Sequence, residues 1–373
     1  MRPEVGTAML PVFTEHFGNA SSIHWFGQYA KALMDDARQQ VAKLVNAEAS
    51  EIVFVSGGTE ADNLAIRGIV ESLSSKGRHI ITSKIEHHAV LHTCRDLEKQ
   101  GYEVTWLPVS DDGLIDPESI VKAIRPDTIL ISIMHANNEI GTIQPIAEIG
   151  AIADQADIYF HSDGVQAVGK IPVDVRQLKV DLYSVSAHKI HGPKGVGALF
   201  VKKGTPLKPI ITGGGHERNR RSGTENVAGI VGFGVAARLA REGLNSEMNR
   251  VRDLRDRLEN GLKTKIASIQ VNAESAPRLP NTSNIMVDYA EGEGLVIALD
   301  LKGIAASTGS ACSSGSLEPS HVLTAIGRTP DENHGSLRFS LSSMTTEDDV
   351  NYVLETMPSI VERLRELSPH YKR

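Results

Sequence analysis

Several short apolar runs in this chain end on residues that could do chemistry. Residues 52–56 (IVFVS) lead into Gly57-Gly58-Thr59. Glycines at a helix entry can bring backbone N–H groups and a hydroxyl to one point, a cradle for a phosphate. The same residues also make an ordinary tight turn with Thr59 as helix cap. Residues 182–187 (LYSVSA) lead into His188-Lys189 and the turn HGPKGVG. A lysine directly after such a strand is either a solvated cation or an amine desolvated by a site and able to form a Schiff base. Residues 158–163 (IYFHSD) end on Asp163, with Gln166 close behind. An acid there can cap a helix or bind a cofactor's ring nitrogen, a ribose or a metal. Residues 128–134 (TILISIM) precede His135-Ala136-Asn137-Asn138-Glu139, and His79–Ser83 (HIITS) precedes Glu86-His87-His88.

Other signals lie further along. Residues 213–224 (GGGHERNRRSGT) are glycine-rich, then basic, then Ser/Gly/Thr, a composition suited to an anion-binding loop or to an exposed arginine loop. Arg338 interrupts an apolar alternation (SLRFSLS) and needs a partner there; a substrate carboxylate held bidentately would supply one. Residues 307–316 (STGSACSSGS) are all small, which favours a mobile loop, and they hold Cys312. His88 and His92 have metal-ligand spacing but no third ligand nearby. Cys94 shares a helical face with Val90 and Leu97 and reads as core. Taken together, the chain offers a phosphate cradle, an acid, a histidine, a Schiff-base lysine and a carboxylate clamp. These are the parts that pyridoxal 5′-phosphate requires, and a thiol on a loop adds a nucleophile.

The elements that must position these residues follow from periodicity. Strand-like runs at 52–56, 79–83, 103–109, 128–134, 158–163, 182–187 and 198–203 alternate with helical patterns at 59–73, 88–100, 117–124 and 146–156. Such alternation predicts an α/β fold, a mostly parallel sheet with helices on both faces, and ligands bound beyond the carboxyl ends of the strands. Near Gly243 the pattern changes. A charged helical stretch at 247–267, strands at 282–288 and 336–341 and a helix at 347–367 predict a smaller α+β domain. The expected division is a large domain over residues 1–245, with the assignment of its first residues to either domain left open, and a small carboxy-terminal domain over 246–373. Thirty-nine Lys and Arg against 46 Asp and Glu leave a net charge of −7, which argues against a general nucleic-acid binder. Two cysteines exclude a disulfide framework and fit a reducing, cytoplasmic setting. No apolar run is long enough to span a membrane, and the first residues do not read as a secretory signal.

The motifs FGNASSIHWFG, SGGTEADNLA, EHHAV, MHANNEIGTIQPI, HSDGVQAVGK, SAHKIHGPKGVGAL, GGGHERNRRSGTEN, STGSACSSGSLEPSHVL and LRFSL occur in order over nearly the whole length. In these the chain resembles the class I cysteine desulfurases of the NifS/IscS type, with the aspartate-aminotransferase fold (fold type I). The resemblance implies pyridoxal 5′-phosphate as cofactor and L-cysteine as substrate. It implies that Lys189 carries the cofactor's Schiff base, Asp163 pairs with the pyridinium nitrogen, and His87 stacks on the ring and moves protons. Asn138 and Gln166 would sit at the ring, and Gly58, Thr59, Ser186 and His188 would hold the phosphate. Thr224 would reach the phosphate of a partner subunit, which implies a homodimer. Arg338, helped by Asn138, would clamp the substrate carboxylate. Cys312 would be the nucleophile that receives the sulfur as a persulfide and passes it to an iron–sulfur scaffold protein or another acceptor such as a tRNA-thiolation enzyme. Transient iron–sulfur ligation by Cys312 is compatible with this role.

The resemblance departs at both ends. The family's Asp-Asn-Ala-Thr-Thr-like segment, which lines the substrate pocket, has no counterpart before PVFTEHFGN, and LSPHYKR lacks the tail with which some relatives grip the scaffold. The alternatives are selenocysteine lyase or another fold type I lyase or aminotransferase, and a non-catalytic iron–sulfur scaffold with Cys312 as ligand.

Overall fold

The computed structural model describes residues 1–309, 319–368 and 371. It divides into two units. The first comprises Met1–Leu107, Asp116–His135 and Pro145–Leu244, the second Pro108–Ile115, Ala136–Gln144 and Asn245–Arg373.

The first unit opens with helices α1 (Pro3–Thr14) and α2 (Trp25–Leu44). The alternation expected from the sequence follows: β1 (Ile52–Val55), α3 (Gly58–Ser72), β2 (His79–Ser83), α4 (His88–Lys99), β3 (Glu103–Leu107), α5 (Pro117–Ala123), β4 (Thr128–Ser132), α6 (Ile146–Gln155), β5 (Tyr159–Asp163), β6 (Leu182–Ser186) and β7 (Gly197–Val201). The seven strands form one sheet in the order β1-β7-β6-β5-β4-β2-β3. The pairs from β3 to β6 are parallel, while β7 runs antiparallel to both β6 and β1. That reversal has a simple cause. The link between β6 and β7 is a tight turn through Ala187–Ile190 followed by the glycine-rich HGPKGVG, too short to hold the helical crossover that a parallel return requires. Strands β1, β2, β4, β6 and β7 are buried along their whole length, which explains their apolar character. Leu64, Ile66 and Ile69 of α3 pack with Val53, Ile80, Leu130 and Leu199 of the sheet and with Val90 and Cys94 of α4. Each such side chain contributes roughly 1.5–3 kcal/mol by leaving water.

Helix α7 (Val227–Lys265) starts twenty residues before the charged pattern at 247–267. Its first half is rich in glycine, which weakens helix propensity. Gly234 shows what the glycine provides: a Cβ there would lie 2.5 Å from Ala37 Cα, so its absence lets α7 and α2 pack closely.

The second unit contains an antiparallel sheet, order β10-β11-β9-β8, built from β8 (Ile269–Val271), β9 (Thr282–Val287), β10 (Ser307–Thr308) and β11 (Ser336–Ser340). Helices α8 (Gly292–Asp300), α9 (His321–Ala325), α10 (Pro330–His334) and α11 (Glu347–Leu367) complete it. Its core joins Leu258 and Leu262 of α7 to Ile285, Leu337, Phe339, Val353 and Met357. The segment 136–144 belongs here because it is stitched to the loop before β9: Leu279 N–H donates to Gly141 O at 2.8 Å and Ile143 N–H to Pro277 O at 2.8 Å. Among the described residues no helix is long and apolar enough to cross a membrane.

Candidate functional site

In the first unit the predicted residues gather at the carboxyl ends of β1, β2, β5 and β6. Helix α3 begins at Gly58 with Gly57 as its N-cap, which supplies no side-chain cap, so Thr59 lies in the first turn and is not the cap. The opening N–H groups of that helix therefore have no side-chain acceptor of the usual kind. A Cβ on Gly58 would stand 2.7 Å from Val165 Cγ2 and 3.8 Å from Ser186 Cβ, and one on Gly57 would stand 4.0 Å from Ser186 Oγ. The helix start, the residue two beyond Asp163 and the end of β6 thus meet at one point. Ser186 Oγ and His188 Nδ1, 2.9 Å apart, add a hydroxyl and an imidazole.

Lys189 is half-buried on the turn after β6. Its ammonium acts electrostatically on both Asp163 and His87. Asp163 is 5% exposed, and burial pushes its carboxyl up to about 6; the Val165 N–H, donating to Oδ1 at 2.9 Å, and the Lys189 cation pull the other way. Burial, with the Lys189 charge second, holds His87 below the ordinary imidazole value. His87 Nδ1 accepts from Ala89 N–H at 3.1 Å, so the neutral ring carries its proton on Nε2. Gln166 is half-buried and accepts from Lys170 Nζ at 2.8 Å.

Two buried acids that the motifs do not single out lie behind Asp163. Asp62, on α3, has His161 Nε2 3.5 Å from its Oδ1, and Glu86 Oε1 accepts from Ser83 Oγ at 2.6 Å and from Met134 N–H at 3.0 Å. The available signal was an acid flanked by Ala61, Leu64 and Ala65 on an otherwise apolar helical face. Tyr183, whose hydroxyl lies 2.7 Å from His135 Nδ1, fills the space that Gly164 leaves by lacking a side chain.

The loop at 213–224 is held from several sides. Glu217 forms a bidentate ion pair with Arg38 of α2 at 2.7 and 2.6 Å and accepts from Phe54 N–H at 2.9 Å. Arg221 Nε donates to Glu60 Oε1 at 2.9 Å, and His216 Nδ1 lies 2.9 Å from Glu225 Oε1. Glu217, Arg218 and Asn219 are consecutive left-handed residues, with φ of 44°, 57° and 64°. Thr224 is exposed at the loop's end.

In the second unit Arg338, at the centre of β11, donates from Nη1 to Asn138 O at 2.8 Å, so the two residues read as carboxylate ligands are brought together. Beside them Glu139 is buried; desolvation raises its carboxyl to about 7, against the bond from Ser320 Oγ at 2.5 Å. Cys312 lies outside the described residues. The rings of His88 and His92 stack at 5.0 Å, but among the described residues no three His, Cys, Asp or Glu side chains are grouped to hold a metal. Cys94 is fully buried, and burial pushes its thiol up to about 12, which removes it as a nucleophile near neutral pH.

The donor set fits pyridoxal 5′-phosphate group by group. An uncapped helix start with Ser186 and His188 suits a phosphate, a half-buried amine suits an aldehyde, and a buried carboxyl suits a ring nitrogen. The aminotransferase class-V pattern matches residues 1–353. The chain is 53% identical to a cysteine desulfurase IscS of Dictyoglomus turgidum, covering 99% of this chain and 94% of the relative. It is 55% identical to one of Methanosarcina thermophila, covering 99% and 91%. A solved NifS-like protein superposes with a TM-score of 0.91 at 38% identity, covering 97% of this chain and 96% of the other.

Proposed function

Because the chain belongs to the aminotransferase class-V family, we infer that it is a pyridoxal 5′-phosphate-dependent cysteine desulfurase that takes sulfur from L-cysteine and leaves L-alanine. The observation that carries the reading is the half-buried Lys189 acting on both Asp163 and His87, on the turn that follows the uncapped start of α3 and Ser186. Gly58, Thr59, Ser186 and His188 would hold the cofactor's phosphate, with Thr224 contributed by a second copy in a homodimer. Asn138 and Gln166 would lie at the ring. When bound, the cofactor supplies an electron sink for bonds at the substrate's Cα.

The chain's residues supply the rest. Lys189 Nζ would hold the cofactor's aldehyde carbon and would serve as the base that takes the substrate's Cα proton. Asp163 holds a proton at the ring nitrogen by hydrogen bonding as a carboxylate. His87 carries a proton on Nε2 and moves it where charge develops. Arg338, with Asn138, orients the substrate carboxylate. The Cys312 thiolate attacks the substrate sulfur. An S–S bond forms as the Cβ–S bond breaks, the leaving carbon is protonated to give alanine, and Cys312 is left as a persulfide. That sulfur would pass to an iron–sulfur scaffold protein or another acceptor. One measurement tests the sequence: mass spectrometry after addition of L-cysteine. The wild type should gain one sulfur atom on the Cys312 peptide while forming one alanine. Cys312→Ser should keep the cofactor's absorbance and gain no sulfur, and Lys189→Ala should lose that absorbance. Alanine formation unchanged in Cys312→Ser would overturn the assignment.

A further inference from the structure

The first unit buries three carboxyls together, Asp62 (1% exposed), Glu86 (0%) and Asp163 (5%), and the proposed chemistry uses one of them. They act on one another electrostatically within the buried interior. Asp62 and Glu86 take hydrogen bonds from neutral groups. Asp62 has the Ser184 hydroxyl and the His161 ring, which itself lies between Ser132 Oγ at 2.9 Å and Ser184 Oγ at 3.0 Å. Glu86 Oε1 takes both the Ser83 hydroxyl and the Met134 N–H, so a proton on this group belongs on Oε2. A cofactor ring nitrogen can balance one negative charge. A second or third carboxylate beside Asp163 would be desolvated and repelled by the first, a cost that protonation removes.

We propose that Asp62 and Glu86 are positioning residues, buried acids kept protonated by their surroundings, which leave Asp163 as the one carboxylate of the three that would meet a cofactor nitrogen. The proposal rests on the cofactor reading only for Asp163; the neutrality of the other two belongs to the chain itself. Burial is the first cause that raises both groups, Glu86 to about 8, with Asp163 adding to it. Ionisable groups facing the cluster include His161 of β5, Tyr183 of β6, His135 after β4, Lys189 and His87, and Cys94 of α4. Burial holds His161 near 3 and His135 near 4, so neither brings a cation at working pH.

The sign follows from linkage. A carboxyl raised on folding stabilises fully below its unfolded value of 4.5, and that stability is lost as pH rises through about 8. The test is urea unfolding of the cofactor-free protein across that window. In the wild type each such group raises the unfolding constant by up to about tenfold per pH unit. Asp62→Asn and Glu86→Gln, neutral and of the same shape, should each flatten the slope and leave the low-pH midpoint near that of the wild type. The infrared band of a protonated carboxyl at neutral pH should lose intensity in each variant, a readout independent of the unfolding curve. In the holoprotein the pH at which cofactor absorbance titrates should stay put in both variants and move in Asp163→Asn. An unchanged slope with loss of stability at every pH would mean ionised carboxylates and overturn the proposal. Flattened slopes with no spectral response to Asp163→Asn would instead fault the cofactor assignment alone.

Discussion

The Arg38–Glu217 pair permits a quantitative test of what fixes the loop carrying Thr224. The two side chains are 8% and 3% exposed, meet in a bidentate pair, and are tied further to Ile52 O at 2.8 Å and Phe54 N–H at 2.9 Å. The Arg38 guanidinium also lies over the Phe54 ring at 4.5 Å. Arg38→Met leaves a buried carboxylate with one backbone donor, which costs about 3–5 kcal/mol. It also strips Ile52 O of a donor, worth about 1 kcal/mol. The three left-handed residues each carry roughly 1–2 kcal/mol of strain, and letting that turn relax returns part of the loss. The net expectation is a destabilisation of about 3 kcal/mol for either Arg38→Met or Glu217→Leu. The double change removes both charges and leaves Phe54 N–H and Ile52 O without these partners, about 2–4 kcal/mol. The coupling energy from urea unfolding of the four proteins should then be at least ~2 kcal/mol. The double variant should retain its fold yet bind pyridoxal 5′-phosphate more weakly, because the left-handed turn then loses its buried anchor and keeps only the flanking contacts of Arg218, Arg221 and His216. Single losses that add to the double within about 0.5 kcal/mol would refute the reasoning.

Three further outcomes are expected. Gly58→Ala places a methyl 2.7 Å from Val165 Cγ2, within the cradle, and at about 1–3 kcal/mol of overpacking it should weaken cofactor binding by roughly tenfold or more, read by absorbance titration, with little change in the fold. Because the His87 pKa is lowered by burial and by Lys189, its neutral form persists as pH falls; the acid limb of kcat/KM assigned to this ring should lie below 6.5 and vanish in His87→Gln, and a limb above 6.5 would contradict the neutral ring. Arg338→Lys keeps the charge but not the fork, so KM for L-cysteine should rise by about ten- to a hundredfold with a smaller effect on kcat, and an unchanged KM would place the carboxylate elsewhere.

What could be read from the sequence was whatever a strand end makes local. Asp163 closes β5, Lys189 and His87 lie within four residues of the ends of β6 and β2, and HIITS ends where β2 does, whereas β4 stops at Ser132, two residues short of the run TILISIM. What could not be read depends on packing partners far along the chain. The first half of α7 looks too glycine-rich for a helix until Gly234 is seen against Ala37, and β7 looks like another parallel strand until the length of its connection is weighed. The segment 136–144 lies among strands and helices of the first unit in sequence, yet its hydrogen bonds go to the loop before β9, which is why Asn138 meets Arg338, 200 positions away. Glu217 sits in a run that reads as a basic surface loop, and its partner is 179 residues distant. The same limit hid Asp62 and Glu86. Sequence supplies the residue type, whereas the charge a carboxyl carries is set by the water and the neighbours around it. An acid on the face of a solvated helix and an acid on the face of a buried one are written with the same letter, and only the second is driven to keep its proton.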